Sequence, residues 1–183
     1  GSFVISDSSN LTMFTRTTSA SLIFSTTSDS GLNLSWLAEK SMPAVAVRVP
    51  HPLSARNTDQ DHLRDSEFHL DALRYREQRL LGSLARRLKH RLDQGMDSIY
   101  ALVDVQEHVM ATANAHAERI VMEQFAAGVA RCEDEAVRAA LAKLAALFAL
   151  SRIEADRGWF LEAGYLSTAK AHAIRKRVNV LCG

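Results

Sequence analysis

Leu147-Phe148-Ala149-Leu150-Ser151-Arg152-Ile153-Glu154-Ala155-Asp156-Arg157-Gly158-Trp159-Phe160-Leu161-Glu162-Ala163-Gly164-Tyr165-Leu166-Ser167 reads as the end of one helix, a short turn and the start of another. The apolar residues Val137, Leu141, Leu144, Leu147, Phe148 and Ile153 recur at helical spacing up to Asp156. One helical turn follows around Trp159 to Glu162, and Gly164 ends it with positive φ, a conformation glycine adopts without steric penalty. Ser167 then supplies the side-chain oxygen that caps a last helix running to about Leu181, with Ala171, Ile174, Val178 and Leu181 on its inner face. Helices joined by so short a connection run antiparallel and bury apolar stripes against each other, so this stretch points to a helical bundle.

Working outward toward the N-terminus, Arg131-Cys132-Glu133-Asp134 breaks the pattern, and Asp134 caps the helix that begins the quoted run. Before it, Leu102, Val105, Val109, Ala113, Ala117, Ile120 and Phe125 follow one helical stripe, and Val103, Met110, Val121 and Val129 a second. An arc this wide predicts a helix from an Asp97 or Ser98 cap to about residue 130, buried on more than one side. Earlier still, Leu73, Leu80, Leu84 and Leu88 share a face that Glu77 interrupts and that Leu81, Ala85 and Leu92 widen. Asp65 or Ser66 caps this first helix and Gly95 stops it, giving about 28 residues. The expected fold is all-α: an up-and-down bundle of about four helices plus a short terminal turn, with no internal repeat.

Residues 1–62 differ. Ser and Thr fill 15 of the first 31 positions, and apolar residues come in short clusters such as Phe3-Val4-Ile5 and Leu22-Ile23-Phe24 without sustained alternation. Pro43, Pro50 and Pro52 suppress helix in the stretch that follows. This part is read as an extended or poorly ordered arm or linker, and 63–183 as the helical domain.

The 183 residues carry 22 basic and 21 acidic side chains, a net charge of +1. That balance argues against a dedicated nucleic-acid binder, which needs a basic excess. Cys132 and Cys182 are too few and too far apart for a disulfide framework and are read as free thiols. No apolar run approaches the ~20 residues of a membrane-spanning helix. The end Leu181-Cys182-Gly183 is not the Ser-Lys-Leu type of peroxisomal address, which makes the cytoplasm the expected location.

Several side chains invite a chemical reading. Glu107, Glu118, Glu123 and Glu154 are the helix carboxylates available as a base, each read first as a surface or ion-paired residue. His108 and His116 lie eight apart, close enough to two turns to share a face, but no Glu-x-x-His pair accompanies them, and no metal site is expected. Arg86, Arg87, Lys89, His90 and Arg91 form a basic cluster. Its plain reading is a solvated face near a helix C-terminus, where the dipole favours cations; its functional reading is contact with a phosphate or an acidic partner. Trp159, Phe160, Tyr165 and Leu166 form an aromatic knot that pins the short turn. The eight glycines are scattered, without a phosphate-binding loop.

The quoted run, with Phe160-Leu161 followed by Gly164-Tyr165-Leu166-Ser167, resembles the closing segment of acyl-CoA oxidases. Arg56-Asn57-Thr58-Asp59 through Phe68, and Leu73-Arg74-Tyr75-Arg76-Glu77, are similar to the start of that family's C-terminal helical domain. The resemblance covers about residues 50–183, and its specific part is the terminal turn. It implies a flavoprotein context: FAD-dependent removal of a proton and a hydride from an acyl-CoA, giving a trans-2-enoyl-CoA, with oxygen reduced to peroxide. It also implies a homodimer and partner domains upstream. Arg86, Arg87 and Arg91 become candidates for phosphate contact, and Trp159 and Tyr165 for lining a flavin cleft. The family's Glu-Gly-(Asp/Glu)-Asn-Thr-like base motif does not occur here, so no catalytic residue is carried over and no flavin is expected on this chain alone. A stand-alone helical dimerisation module is the alternative; a nucleic-acid binder using the Arg86 to Arg91 cluster ranks last.

Overall fold

A computed structural model describes residues 55–183, which lie within one compact unit, Asn33–Gly183. The Ser/Thr-rich stretch and the three prolines lie outside the described residues. Those described form seven helices and no strand: α1 (Gln60–Arg64), α2 (Ser66–Asp93), α3 (Ser98–Asp104), α4 (Gln106–Arg131), α5 (Glu135–Ala155), α6 (Arg157–Glu162) and α7 (Thr168–Cys182). The four long helices make the bundle. Residues 60–62, at the end of the stretch read as arm or linker, are already helical.

Local chemistry sets most of the boundaries. The side chains of Asp65, Asp97, Asp134 and Ser167 accept from the first free amides of α2, α3, α5 and α7. Gly95 (φ 80°) and Gly164 (φ 69°) take the left-handed turns expected of them. The 28 residues of α2 match the length read from the sequence.

One boundary differs. The helix expected to run unbroken from residue 98 to about 130 bends at Val105, where α3 ends and α4 begins. Val105 and Ala101 are both buried with Leu84 and Leu88 of α2. The bend lets these residues close over the end of α2 while the rest of α4 follows a separate line.

α4 and α5 pack on α2 and on each other, and α7 packs on α5. The largest core cluster joins Phe68, Ala72 and Tyr75 of α2, Leu150 and Ile153 of α5, Phe160 of α6, Tyr165 and Leu166 of the turn, and Ile174 of α7. A second joins Leu73, Met122, Ala145 and Ala149.

The stripes read for α4 and α5 match the buried faces only in part: Val105, Val109 and Phe125, and Phe148 and Ile153, do join the core. On α4 the buried residues are Thr112, Ala115 and Met122, while Met110, Ala113, Ala117 and Val121 are exposed. α4 is therefore not buried on several sides. Its inward side carries Arg119, Glu118, Glu123 and His116, which pair with α2 and α5. On α5, residues 135–140 and 142–144 are exposed, Val137 and Leu144 included, because its first turns reach past their neighbours. Burial resumes at Ala145 and Ala146.

Candidate functional site

The basic cluster lies in the last turns of α2, where Arg87, His90 and Arg91 line a groove of about 490 Å³. Its other wall is the α3–α4 bend, with Val103, Asp104, Val105, Glu107 and His108. Arg91 Nε donates to Asp104 Oδ2 at 2.5 Å, so much of its charge is already matched. Lys89 pairs with Asp93 one turn on. Arg86 does not line the groove; its Nη1 lies back over Gly82. Arg87 has no ion-pair partner among the described residues, and it is the cation best placed for an anion, although Asp104 and Glu107 face the same space.

The carboxylates and histidines fall into a different arrangement. Arg76, buried on α2, donates to Glu118 Oε2 at 2.7 Å and reaches Asp156 Oδ2 at 2.9 Å, tying α2 to α4 and to the α5–α6 junction. Glu77, whose charge interrupts the apolar face of α2, accepts from Arg119 and bonds His116 Nδ1 at 2.6 Å. Glu123 takes Arg119 at 2.8 Å and Arg74 at 3.1 Å. Burial alone would raise the Glu123 carboxyl, but its hydrogen bonds from Arg74 and Arg119 and their charges outweigh that and hold it below the usual carboxylate range. Glu154 is shared by Arg175 at 2.7 Å and Arg157 at 3.1 Å. Of the four carboxylates considered as a base, three are thus ion-paired, and Glu107 sits in the groove. His108 faces the groove while His116 faces Glu77, so the two do not converge. Among the described residues no group of three or more His, Cys, Asp or Glu side chains is arranged to hold a metal ion.

The aromatic knot is interior. The Tyr75 ring centroid lies 4.6 Å from that of Tyr165 and 6.0 Å from that of Trp159. Phe160 meets Trp159 edge-on at 5.2 Å and Tyr165 at 5.5 Å. Tyr75 Oη donates to Ala163 O at 3.3 Å. Tyr165 is only 6% exposed, so Trp159 is the member that keeps surface for a neighbour.

Beside the knot lies a cluster that sequence reasoning missed. Lys170 is 1% exposed, with its Nζ 3.7 Å from the Phe68 ring centroid and 2.9 Å from His62 Nε2. His69 Nε2 bonds Leu63 O at 2.9 Å. With Ser167 N donating to Ala55 O and Arg177 to Gln60, these contacts clasp residues 55–64 onto α7. Burial, and then the Lys170 charge, hold the His62 imidazole below its ordinary range; burial pushes Lys170 down to about 8. An unfolded lysine keeps its proton to about pH 10.4, so between pH 8 and that value the unfolded chain binds more protons, and stability rises with pH. Urea midpoints measured from pH 7.5 to 9.5 are expected to climb for the native chain, toward a limit of about 2–3 kcal/mol. Lys170→Met, which keeps the stem over Phe68, is expected to flatten this dependence.

Residues 65–183 match the family model described as acyl-CoA oxidase. The chain belongs to the acyl-CoA oxidase family. It is 35% identical over 151 residues to acyl-coenzyme A oxidase 2, peroxisomal, of Arabidopsis thaliana, covering 82% of this chain and 22% of that protein. It is 31% identical over 116 residues to the acyl-coenzyme A oxidase-like protein of Mus musculus, covering 63% of this chain and 18% of that one. Among solved structures, acyl-CoA oxidase 1 from Yarrowia lipolytica superposes with a TM-score of 0.63 at 25% identity, over 68% of this chain and 18% of that chain. Acyl-CoA oxidase 3 from the same organism gives 0.65 at 18% identity, over 80% and 22%, and speaks for the fold alone. The chain thus spans about a fifth of the length of these acyl-CoA oxidases, and it corresponds to their C-terminal helical domain.

Within this acyl-CoA oxidase domain the aromatic knot and the ion-pair network both fall inside the matched residues, and Ala55 to Arg64 precede them. Arg76 and Glu77 lie in the stretch that carries the resemblance, yet nothing in their spacing foretold partners some 40 residues away. No helix among the described residues is long and apolar enough to cross a membrane.

Proposed function

We propose that this chain serves as the C-terminal domain of an acyl-CoA oxidase, giving structural and dimer support to an enzyme that oxidises acyl-CoA to trans-2-enoyl-CoA with FAD and releases peroxide. The observation that carries this reading is the match over residues 65–183, set beside relatives of which this chain covers only about a fifth. The charges in this chain point the same way. A flavin pyrophosphate placed in the Arg87–His108 groove would face Asp104 and Glu107, with Arg91 already spent on Asp104, so the groove does not suit it. Glu118, Glu123 and Glu154 are each engaged by arginines of this chain. The base and the flavin are therefore assigned to the remaining domains, which are this chain's first partners.

Purified chain supplied with FAD and a medium-chain acyl-CoA is expected to give neither a protein-bound flavin spectrum nor peroxide. Bound flavin with turnover would overturn the non-catalytic assignment, and Glu107 would be the first carboxylate to replace. A fluorescent fusion of the chain distinguishes the cytoplasm expected from the sequence from the peroxisome named for the Arabidopsis thaliana relative.

A further inference from the structure

α7 carries no carboxylate between Thr168 and Cys182, and its two buried cations, Lys170 and Arg177, both meet residues of α1. Arg177 Nη1 donates to Gln60 Oε1 at 3.4 Å. Lys170 Nζ lies 2.9 Å from His62 Nε2. Both groups rest on one ring: the His62 centroid is 4.7 Å from that of Phe68, and Lys170 Nζ is 3.7 Å from it. Two nitrogens this close need a lone pair between them. An ammonium has none, so His62 Nε2 is the acceptor and the imidazole is neutral, with its proton on Nδ1. A proton taken up at Nε2 removes the acceptor and sets two cations face to face. The contact therefore exists in only one charge state of His62.

The surroundings do not offset that change. Asp59 and Asp65, at the two ends of α1, cap Gln60 N and Glu67 N; their charges favour a proton on His62, but burial and the Lys170 charge outweigh them. On α2, His69 is 1% exposed and bonds Leu63 O, and burial holds its imidazole below the ordinary range, so a charge there is opposed as well. Lys170 keeps its proton below about pH 8. An unfolded histidine takes its proton near pH 6.5 and the packed one lower, so below about pH 6.5 the released segment binds more protons and release is favoured as pH falls.

We propose that His62 and Lys170 form an acid-released latch: a proton on His62 Nε2 frees residues 55–64 from α7 while the bundle stays closed. The Ser167 to Ala55 bond and the buried Leu63 hold the same segment, so these contacts loosen together. The segment lies immediately before the matched residues 65–183, and the latch sets how firmly the domain holds the chain that leads into it. The second core cluster, Leu73, Met122, Ala145 and Ala149, has no titratable member and supplies an internal reference. The latch rests on contacts within this chain, independent of flavin, turnover and the function proposed above.

Amide hydrogen exchange of the 183-residue chain at about pH 7.5 and 5.5, each rate divided by the intrinsic rate at that pH, tests it. The amides of Leu63 and Asp65, which donate to Asp59 O and His62 O, report the segment. Their protection is expected to fall by about 5–10-fold or more from the higher pH to the lower, while Met122 and Ala149 hold theirs. His62→Gln keeps an acceptor for Lys170 but does not titrate, and it is expected to shrink the fall by about 5-fold. Circular dichroism reports whether that variant folds; if it does not, Lys170→Met, which removes the opposing cation, is expected to shrink the fall in its place. A native chain with no fall overturns the proposal, and so does a fall that Met122 and Ala149 share. An undiminished fall in a folded variant overturns it equally, because His69 or another group then carries the response.

Discussion

Phe160→Ala is expected to cost about 3–5 kcal/mol, a large share of the 5–15 kcal/mol that holds a typical domain together. Phe160 is 0% exposed and sits where α2, α5, α7 and the Gly164 turn meet. Its ring contacts both Trp159 and Tyr165, and its carbonyl accepts from the amides of Tyr165 and Leu166. Alanine preserves the backbone bonds but removes the ring on which the turn is built. The space left is bounded by separate helices, which cannot collapse together without moving. Trp159→Ala, at a half-buried position on the rim of the same knot, is expected to cost clearly less. Urea unfolding of both variants followed by circular dichroism checks the order; equal losses would mean that the knot is not centred on Phe160.

Arg76→Ala is the second large effect, about 2–4 kcal/mol. The guanidinium holds Glu118 and Asp156 at 2.7 and 2.9 Å, and removing it leaves two carboxylates facing each other from α4 and the α5–α6 junction. Breaking a fully buried pair costs about 3–5 kcal/mol. The figure here is lower because the Asp156 side chain is 31% exposed and can recover water, and because Glu118 keeps Arg152 at 4.0 Å. The penalty comes from the orphaned charges more than from the lost contact. Arg76→Met combined with Glu118→Gln and Asp156→Asn is therefore expected to recover most of the loss. If the triple variant melts no higher than Arg76→Ala, the arginine acts chiefly through packing of its stem.

Much of the fold was legible in the sequence because its signals are local. Asp65, Asp134 and Ser167 act as caps within three residues, and Gly95 and Gly164 meet a steric condition on their own φ angles. The aromatic turn was legible for the same reason: Phe160 to Leu166 close on themselves. The candidate site was much less so. Arg86, Arg87 and Arg91 were visible as a cluster, but only the folded chain shows Arg91 matched to Asp104, 13 residues on, and Arg86 turned back along its helix. Lys170 and His62, 108 residues apart, gave no signal at all.

What the sequence by itself determined is therefore where each helix starts and stops, and that the helices form a bundle. Which side of α4 faces inward was decided by the tertiary structure. Apolar periodicity favoured two stripes, one with Ala113 and Ala117 and one with Met110 and Val121, yet these four stay exposed while the fold buries Ala115 and Met122 and turns Glu118, Arg119 and Glu123 toward α2 and α5. The physical reason is that a charged side chain can face inward once opposite charges from other helices meet it, and those partners, Arg74, Arg76 and Glu77, lie about 40 residues earlier in the chain.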